Sequence, residues 1–312
     1  MKIRVFNRLF FTALLIISVI GANAQNKPDR KLQIKLNQLI SGFNGEVGIY
    51  VKNLKTGKTA SVNADTIFPT ASMIKVPIMC GVFDQIEKGK LQYNMLLTYK
   101  DSLLYEGEDI LGSFKDGEKI RLSKVQMLSI TTSDNTASLW LQKLAGETNV
   151  NSWLEQSGFK YTRLNSRTPG RRAFQQKYGW GQTTPREMAL LVEKIHAGNA
   201  VNAAASERMY RNMIRIYFDD VALSQIPPFI QAASKQGAVD ASRSEVVLVN
   251  APHGDYVFCI ITKKQKDTSW EPANEGWKLI RNLSKMLWNY YEPQSRWVPA
   301  IGTEKMEINT VQ

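Results

Sequence analysis

The stretch of sequence that decides the fold is Phe68-Pro69-Thr70-Ala71-Ser72-Met73-Ile74-Lys75. Apolar residues recur at helical spacing over positions 74–86, which predicts that a helix begins at Ser72. One helical turn places residues i and i+3 on the same face, so the Lys75 amine can reach the Ser72 hydroxyl. An amine of lowered pKa can remove the proton of a serine and turn it into a nucleophile. The pattern is weak by itself, because Ser157-Gly158-Phe159-Lys160 matches it too.

A second motif, Ser133-Asp134-Asn135, lies between two segments of helical periodicity. All three residue types favour the N-cap position, so one interpretation is a structural capping cluster. In the other interpretation the Ser133 hydroxyl relays a proton to a leaving nitrogen, and Asn135 holds the amide of a substrate. The motif alone leaves both interpretations open.

A third motif, Lys235-Gln236-Gly237, comes just before a predicted hairpin whose strands cover Glu245 to Asn250 and Tyr256 to Thr262. Placement of this motif on a strand lets the backbone amide of Ala238 face the nucleophile and stabilise an oxyanion. A second copy of the pattern, Lys55-Thr56-Gly57, lies in a predicted hairpin turn near the start of the chain. We interpret that copy as structural.

The order Ser-x-x-Lys, Ser-Asp-Asn, Lys-x-Gly resembles that of class A β-lactamases and related penicillin-binding serine hydrolases. The resemblance extends from roughly Leu32 to Tyr291. It implies that a β-lactam or related amide acylates Ser72, with Lys75 and Ser133 as the other catalytic residues. It also implies a set of substrate-binding residues, namely Asn135, Lys235, Gln236, Gly237, Ala238 and Arg243. For Arg243 a surface role is an equally open alternative.

Two positions depart from the pattern of the family. Class A β-lactamases carry a glutamate that activates the deacylating water, and alignment on Arg163-Leu164 and Pro169 places Thr168 there. Threonine is no general base near neutral pH. Gln236 stands where the family prefers Thr or Ser as a short hydroxyl for the substrate carboxylate. Both departures weaken the expectation of fast antibiotic hydrolysis more than the expectation of acylation.

Periodicity divides the chain into strand-rich ends and a helical middle. We expect an α/β (α+β) fold of the β-lactamase and DD-peptidase type, in which terminal helices flank an antiparallel sheet. The expected catalytic domain covers residues 25–291. Its α/β lobe comprises about 25–69 and 218–291, and its inserted helical lobe comprises about 70–217. Residues 292–312 are expected to form a polar tail.

The first 24 residues have the pattern of a secretory signal peptide. Three basic residues precede an apolar run over 9–20, and Ala22-Asn23-Ala24 supplies the small residues of a cleavage site. The run is shorter than the ~20 residues that a membrane-spanning helix needs. We therefore expect secretion across the inner membrane to the periplasm or the cell exterior, with no transmembrane anchor after the signal is removed.

The formal charge of +12 falls to 12 − 3 = +9 when the signal peptide is removed, which favours anionic partners. Nucleic acid is not expected, because no helix-turn-helix, zinc or RNA-binding signature is present. A small-molecule β-lactam or a peptidoglycan stem peptide fits better. We expect a monomer.

The chain has only two histidines, His196 and His253, so a Ser-His-Asp triad and a multi-histidine metal site are both disfavoured. We expect no metal, no cofactor and structural or solvated roles for both histidines. Cys80 and Cys259 could pair in an oxidising compartment, but two buried free thiols are the favoured interpretation.

Three functional hypotheses follow. The leading one is a β-lactamase-type hydrolase in which Lys75 or another group activates water. The second is a D-alanyl-D-alanine peptidase or transpeptidase, which the missing glutamate favours. The third is a non-catalytic cell-wall binding module, which is disfavoured because pure binding needs no nucleophile. Glu106, Glu108 and Asp109 lie in a loop that could approach the site.

Overall fold

The computed structural model describes residues 27–105 and 109–302. The expected signal peptide, Glu106, Glu108 and residues 303–312 of the expected tail lie outside the described residues. The helices are α1 (Arg30–Leu39), α2 (Lys75–Glu87), α3 (Leu122–Thr131), α4 (Asn135–Ala145), α5 (Glu147–Gln156), α6 (Arg172–Tyr178), α7 (Pro185–His196), α8 (Ala203–Met213) and α9 (Glu275–Tyr291). The strands are β1 (Lys27–Pro28), β2 (Glu46–Asn53), β3 (Lys58–Val62), β4 (Phe68–Pro69), β5 (Leu96–Thr98), β6 (Lys119–Arg121), β7 (Arg163–Leu164), β8 (Gly181–Thr183), β9 (Ala232–Val239), β10 (Ser242–Val249) and β11 (Tyr256–Lys263).

Side-chain caps fix where several helices begin. The carboxylate of Asp29 accepts a hydrogen bond from the Leu32 amide at the start of α1. Asp134 caps α4 in the same way, and Thr184 caps α7, which has Pro185 at its first position. These caps satisfy amides that have no partner inside the helix.

The main sheet has six strands in the order β1-β3-β2-β11-β10-β9. Every neighbouring pair is antiparallel except β1 and β3, which are parallel. The sheet therefore joins strands from both ends of the chain, with β9 at one edge. The expected mixed fold with an antiparallel sheet is confirmed.

Alternation along the strands sends side chains to two separate cores. In β11, Tyr256, Phe258 and Ile260 pack with α1 and α9 on one face of the sheet. Val257 and Cys259 point to the other face, where they join the core formed by the helices between β4 and β9. Both faces of the sheet are thus covered, which explains why β10 and most of β11 are buried.

A small sheet of β4, β8 and β7 holds the start of the helical region against its end. Phe68 pairs with Thr183 and Pro69 with Gln182, so the strand before Ser72 is tied to the strand before α7. This pairing sets the position of the turn that carries Ser72.

The two thiols are buried and unpaired, as expected. Each histidine contacts a carboxylate: His196 Nε2 lies 3.1 Å from Asp255 Oδ2, and His253 Nδ1 lies 2.5 Å from Glu292 Oε2. Across residues 27–105 and 109–302, no helix is long and apolar enough to cross a membrane. Within the same ranges no group of three or more metal-ligating side chains comes together.

Candidate active site

Ser72 lies on a short 3-10 turn, Ala71–Ile74, that leads directly into α2. The spacing of the sequence predicted this helix start. Ala71, just before the serine, has a φ of +44°, in the left-handed region that non-glycine residues seldom adopt. Such strained residues persist only where the surrounding structure holds them, and they cluster at functional sites.

Lys75 is fully buried, and its amine has three acceptors. Nζ donates to Asn135 Oδ1 at 2.7 Å, to Ser133 Oγ at 3.0 Å and to the Ser133 carbonyl oxygen. The sequence predicted a contact with the Ser72 hydroxyl, but the amine turns to the second motif instead. A charged Lys75 therefore donates all three of its protons to these acceptors. Only the neutral amine could accept a proton from a nearby group.

Ser133 joins the second and third motifs. It lies between α3 and α4 with a φ of +57°, which lets both its hydroxyl and its carbonyl face Lys75. The same hydroxyl accepts a hydrogen bond from Lys235 Nζ at 3.0 Å. Lys235 also donates to the carbonyl oxygen of Gln236 at 3.1 Å and to its Oε1 at 3.4 Å.

Burial changes the proton affinity of both amines. It lowers the pKa of Lys75 from 10.5 to about 7, an effect that the nearby charges of Asp109 and Asp134 oppose. Burial and the proximity of Lys75 lower the pKa of Lys235 well below its usual value. Removing two like charges from water is costly, so the neutral form of Lys75 is accessible near neutral pH.

The edge strand β9 packs against the backbone of the Ser72 turn. A β-carbon added to Gly237 would lie 2.6 Å from the Thr70 carbonyl oxygen and 2.9 Å from the Ser72 amide nitrogen. Only glycine permits this close approach. Lys235 and Gly237 lie on the sheet face that is covered by the helices between β4 and β9. Gln236 and Ala238 are half-buried.

The expectation for Arg243 is wrong in both of its forms. The residue is fully buried rather than on the surface, and it pairs with Ala238 on β10. Its side chain points to the α9 face of the sheet, between the rings of Trp270 and Trp277. The guanidinium donates to backbone carbonyls there, including that of Ser269 at 2.6 Å. Neighbouring residues of a strand face opposite sides, so Arg243 cannot reach the site that Ser244 faces.

Thr168 forms no side-chain hydrogen bond with Lys75 or Ser72. Its hydroxyl donates to the Ser166 carbonyl, 3.3 Å away in its own loop. The side chain that faces Lys75 is Trp180, whose ring centroid lies 5.6 Å from Nζ. Trp180 lies outside all three motifs, so sequence reasoning missed it.

Asp109 and Asp134 both bind the first turn of α4. Asp134 Oδ1 accepts from the Ala137 amide at 2.6 Å, and Asp109 Oδ2 accepts from the Thr136 amide at 2.7 Å. Asp109 therefore approaches the site, as the sequence suggested, but as a partner of the helix backbone. Negative charge is favourable at a helix N-terminus.

Glu187 organises the loop that precedes β7. Thr184 accepts from the Glu187 amide, as a capping box requires, but the Glu187 carboxylate binds elsewhere. It accepts from the amides of Lys160, Tyr161 and Thr162 at 2.7–3.1 Å. The loop's basic side chains divide into two groups. Arg163 and Arg171 bind neighbouring loop and β8 oxygens, while Lys160, Arg167, Arg172 and Lys177 are exposed.

The comparison with known sequences decides the family. A sequence model of the beta-lactamase enzyme family matches residues 31–291. The chain belongs to this family. The expected relationship to class A β-lactamases and penicillin-binding proteins is thus confirmed. At the level of the family, the chain is β-lactamase-like and related to serine hydrolases.

Two relatives and one solved structure show how similar the chain is to other members of the family. Beta-lactamase VEB-1 of Pseudomonas aeruginosa is 26% identical over 92% of this chain and 99% of that protein. Beta-lactamase PSE-4 of the same organism is 24% identical over 91% of this chain and 98% of that protein. The structure of PBP-A is 27% identical, with a TM-score of 0.76 over 86% of this chain and 98% of its own.

Proposed function

We propose that the chain is a serine hydrolase that β-lactams acylate at Ser72 and that then hydrolyses the acyl-enzyme. The convergence of two buried amines, Lys75 and Lys235, on the Ser133 hydroxyl carries this proposal. Such an arrangement is costly for a folded protein, because both amines lose their water. Buried amines with lowered pKa values are typical of sites that transfer protons, here at the neighbouring Ser133 hydroxyl.

In the proposed acylation, neutral Lys75 takes the proton of the Ser72 hydroxyl. Ser72 Oγ then bonds to the carbonyl carbon of the substrate, and the amide C–N bond breaks. The proton passes through the Ser133 hydroxyl, 3.0 Å from the Lys75 amine, to the leaving nitrogen. The backbone amides of Ser72 and Ala238 would stabilise the oxyanion, because β9 lies against the turn that carries Ser72.

Lys235, Gln236 and Asn135 are the proposed groups for binding substrate. A carboxylate next to Lys235 would raise the pKa of that amine toward its usual value, so an anionic substrate and a charged Lys235 favour each other. Gln236 has an amide that can donate to the same carboxylate. Asn135, held by Lys75, would position the substrate amide.

A D-alanyl-D-alanine peptidase is the second candidate, and one observation favours it. Among the described residues, no carboxylate forms a hydrogen bond or ion pair with Lys75 or Ser72, and Trp180 faces Lys75. An acyl-enzyme without a base for water would be released slowly. A solved variant of PBP-A, 26% identical to this chain, is an acyl-enzyme complex with penicillin G.

We also propose that the protein acts outside the cytoplasm as a monomer. The pattern of residues 1–24 supports a signal peptide, and residues 25–291 would form the catalytic domain with the two lobes given above. β-Lactams and peptidoglycan stem peptides are the proposed small-molecule partners.

Ring opening of a chromogenic cephalosporin and release of D-alanine from a D-alanyl-D-alanine peptide distinguish the candidates. Catalytic ring opening that Ser72→Ala abolishes would support the β-lactamase. Release of D-alanine with little ring opening would support the peptidase. Equal ligand affinity in the parent and Ser72→Ala, with no turnover of either compound, would contradict both and leave the binding module.

A further inference from the structure

Trp180 is an aromatic side chain that lies against Lys75 in the candidate site. It is half-buried between α6 and β8, with its ring centroid 5.6 Å from Lys75 Nζ. No motif includes it, and its position in the chain is 12 residues beyond Thr168. Hydrogen bonds to both its backbone and its indole fix its position.

The backbone around Trp180 is docked on the turn that carries Ser72. The carbonyl of Gly181, the next residue, accepts from the Thr70 amide at 3.0 Å. A β-carbon added to Gly181 would lie 2.4 Å from Ile74 Cδ1, so a larger residue would force the Ile74 side chain to shift. The Trp180 carbonyl accepts from the amides of Asn165 and Ser166 at 2.8 and 3.0 Å.

The indole is anchored as firmly as the backbone. Its Nε1 donates to Gln142 Oε1 at 2.6 Å, and Gln142 is fully buried on α4. The Gln142 amide nitrogen donates in turn to the Ser166 carbonyl at 2.9 Å. Every group in this chain of contacts is already occupied, and neither an indole nor an amide can act as a base for water.

We infer that Trp180 shields the Ser72 acyl ester from water and so makes the acyl-enzyme long-lived. This inference rests on the proposed acylation of Ser72. In hydrolysis, the oxygen of water bonds to the acyl carbon, the ester bond to Ser72 Oγ breaks, and a proton of the water ends on that oxygen. In transfer, the nitrogen of an amine bonds to the acyl carbon instead and gives its proton to Ser72 Oγ.

The Trp180 ring disfavours hydrolysis by water more than transfer of the acyl group to an amine. An amine acceptor enters from the side where the leaving group departed, next to Ser133 and Lys235. Water that approaches from the side of Trp180 meets the indole ring. Trp180 is therefore a residue that determines which acceptor takes the acyl group.

The test measures acylation and deacylation separately in Trp180→Ala and Trp180→Phe. With penicillin G as the probe, we expect Trp180→Ala to deacylate at least about tenfold faster than the parent, while its acylation rate changes less. Trp180→Phe keeps the ring and should stay close to the parent. With a D-alanyl-D-alanine peptide as donor and isotopically labelled D-alanine as acceptor, the ratio of label incorporated to peptide hydrolysed should fall in Trp180→Ala only.

Trp270→Ala is the matched control, because it removes an indole from the opposite face of the sheet. It should leave both rates unchanged. If Trp180→Ala does not fold, Trp180→Val is measured in its place. Deacylation as slow as that of the parent, in a folded variant that still forms the adduct, overturns the inference. Absence of any Ser72 adduct in the parent overturns the proposed function, and the inference with it.

Discussion

When Lys75 is charged, it donates all three of its protons to oxygens of Ser133 and Asn135. The amine can accept the Ser72 proton only when it is neutral. Burial makes that form accessible by lowering the pKa of Lys75 to about 7. A single buried side chain thus links the proposed reaction to pH.

Acylation by penicillin G should become faster as the pH rises through about 7 and then level off. The reason is that deprotonation of Lys75 creates the base. Rates of adduct formation between pH 5.5 and 9 measure the effect. Lys75→Met should lose at least about a hundredfold in this rate.

Lys88→Met is the control for that experiment, because Lys88 directly follows the same helix and its exposed side chain pairs with Asp84, away from Ser133 and Lys235. It should leave the pH profile unchanged. A rate that does not vary between pH 6 and 8 would contradict the role given to Lys75.

At this scale the motifs predicted which side chains come together. Lys75, Ser133 and Lys235 meet in the structure, and each belongs to a short motif. The catalytic and binding roles of these residues and of Ser72 stay a prediction. Trp180 was missed because its contact with Lys75 depends on how a distant loop docks. The Ser72–Lys75 contact was predicted from helix geometry, yet the amine donates to Ser133, just before α4, and to Asn135, the first residue of α4.

Among the elements, β9 and the turn of Ser72 depend on each other most closely. Gly237 lets the strand approach the turn, so the strand's backbone can contribute to the site. Register explains the error over Arg243. Side chains alternate between the faces of a strand, so an offset of one residue moves a predicted binding residue to the opposite core.

Gly237→Ala should slow acylation by about a hundredfold, because the added methyl group pushes β9 away from the Ser72 amide. The rate of penicillin adduct formation and the melting temperature are the two measurements. Val239→Ile adds a methyl group to the same strand at an exposed position and should change neither. A Gly237→Ala variant that acylates as fast as the parent would refute the close packing of strand and turn.

The loop at residues 160–162 depends on Glu187. Its carboxylate accepts from three backbone amides and from the Thr162 hydroxyl at 2.7 Å. Glu187→Ala should lower the free energy of unfolding by about 3 kcal/mol, because these donors lose a charged acceptor.

Urea unfolding measures that loss. Glu207→Ala breaks only an exposed pair with Arg211, which should contribute less than about 1 kcal/mol. Equal losses in the two variants would show that the carboxylate of Glu187 does not hold the loop.

For the whole molecule, the two-sided burial of the sheet leaves polar groups inside it. Glu245 on β10 is almost completely buried on the α9 face, where it accepts from Ser234 Oγ at 2.6 Å and from the Ala222 amide at 3.0 Å. Burial raises the pKa of Glu245 from 4.5 to about 7. Between about pH 4.5 and 7, Glu245 therefore keeps its proton in the folded protein and releases it in the unfolded chain.

Stability should fall as the pH rises from about 4.5 to about 7, because the unfolded state binds fewer protons there. The contribution of Glu245 to this fall is about 3 kcal/mol at most. Glu245→Gln can keep both hydrogen bonds and should remove most of the fall. Urea unfolding of both proteins at pH 5 and pH 8 measures the difference, and an equal fall in the two would contradict the assignment.

The overall fold was predictable because both periodicities are strong. Alternation in β2, the hairpin pattern of β10 and β11, and helical spacing in α1 and α9 predicted strands and helices at both ends of the chain. The resemblance to the family implied that the strands form an antiparallel sheet between terminal helices. The parallel pairing of β1 with β3 was not predicted, since a strand of two residues has no periodicity. The expected boundaries of the two lobes stay a prediction.

The most direct measurement is the intact mass of the protein after mixing with penicillin G, compared with Ser72→Ala and Ser157→Ala. Ser157 belongs to the other Ser-x-x-Lys pattern and is the matched control. We predict that the parent and Ser157→Ala each gain the mass of one penicillin molecule and that Ser72→Ala gains none. An adduct of equal extent in Ser72→Ala, or no adduct in the parent, would contradict Ser72 as the nucleophile.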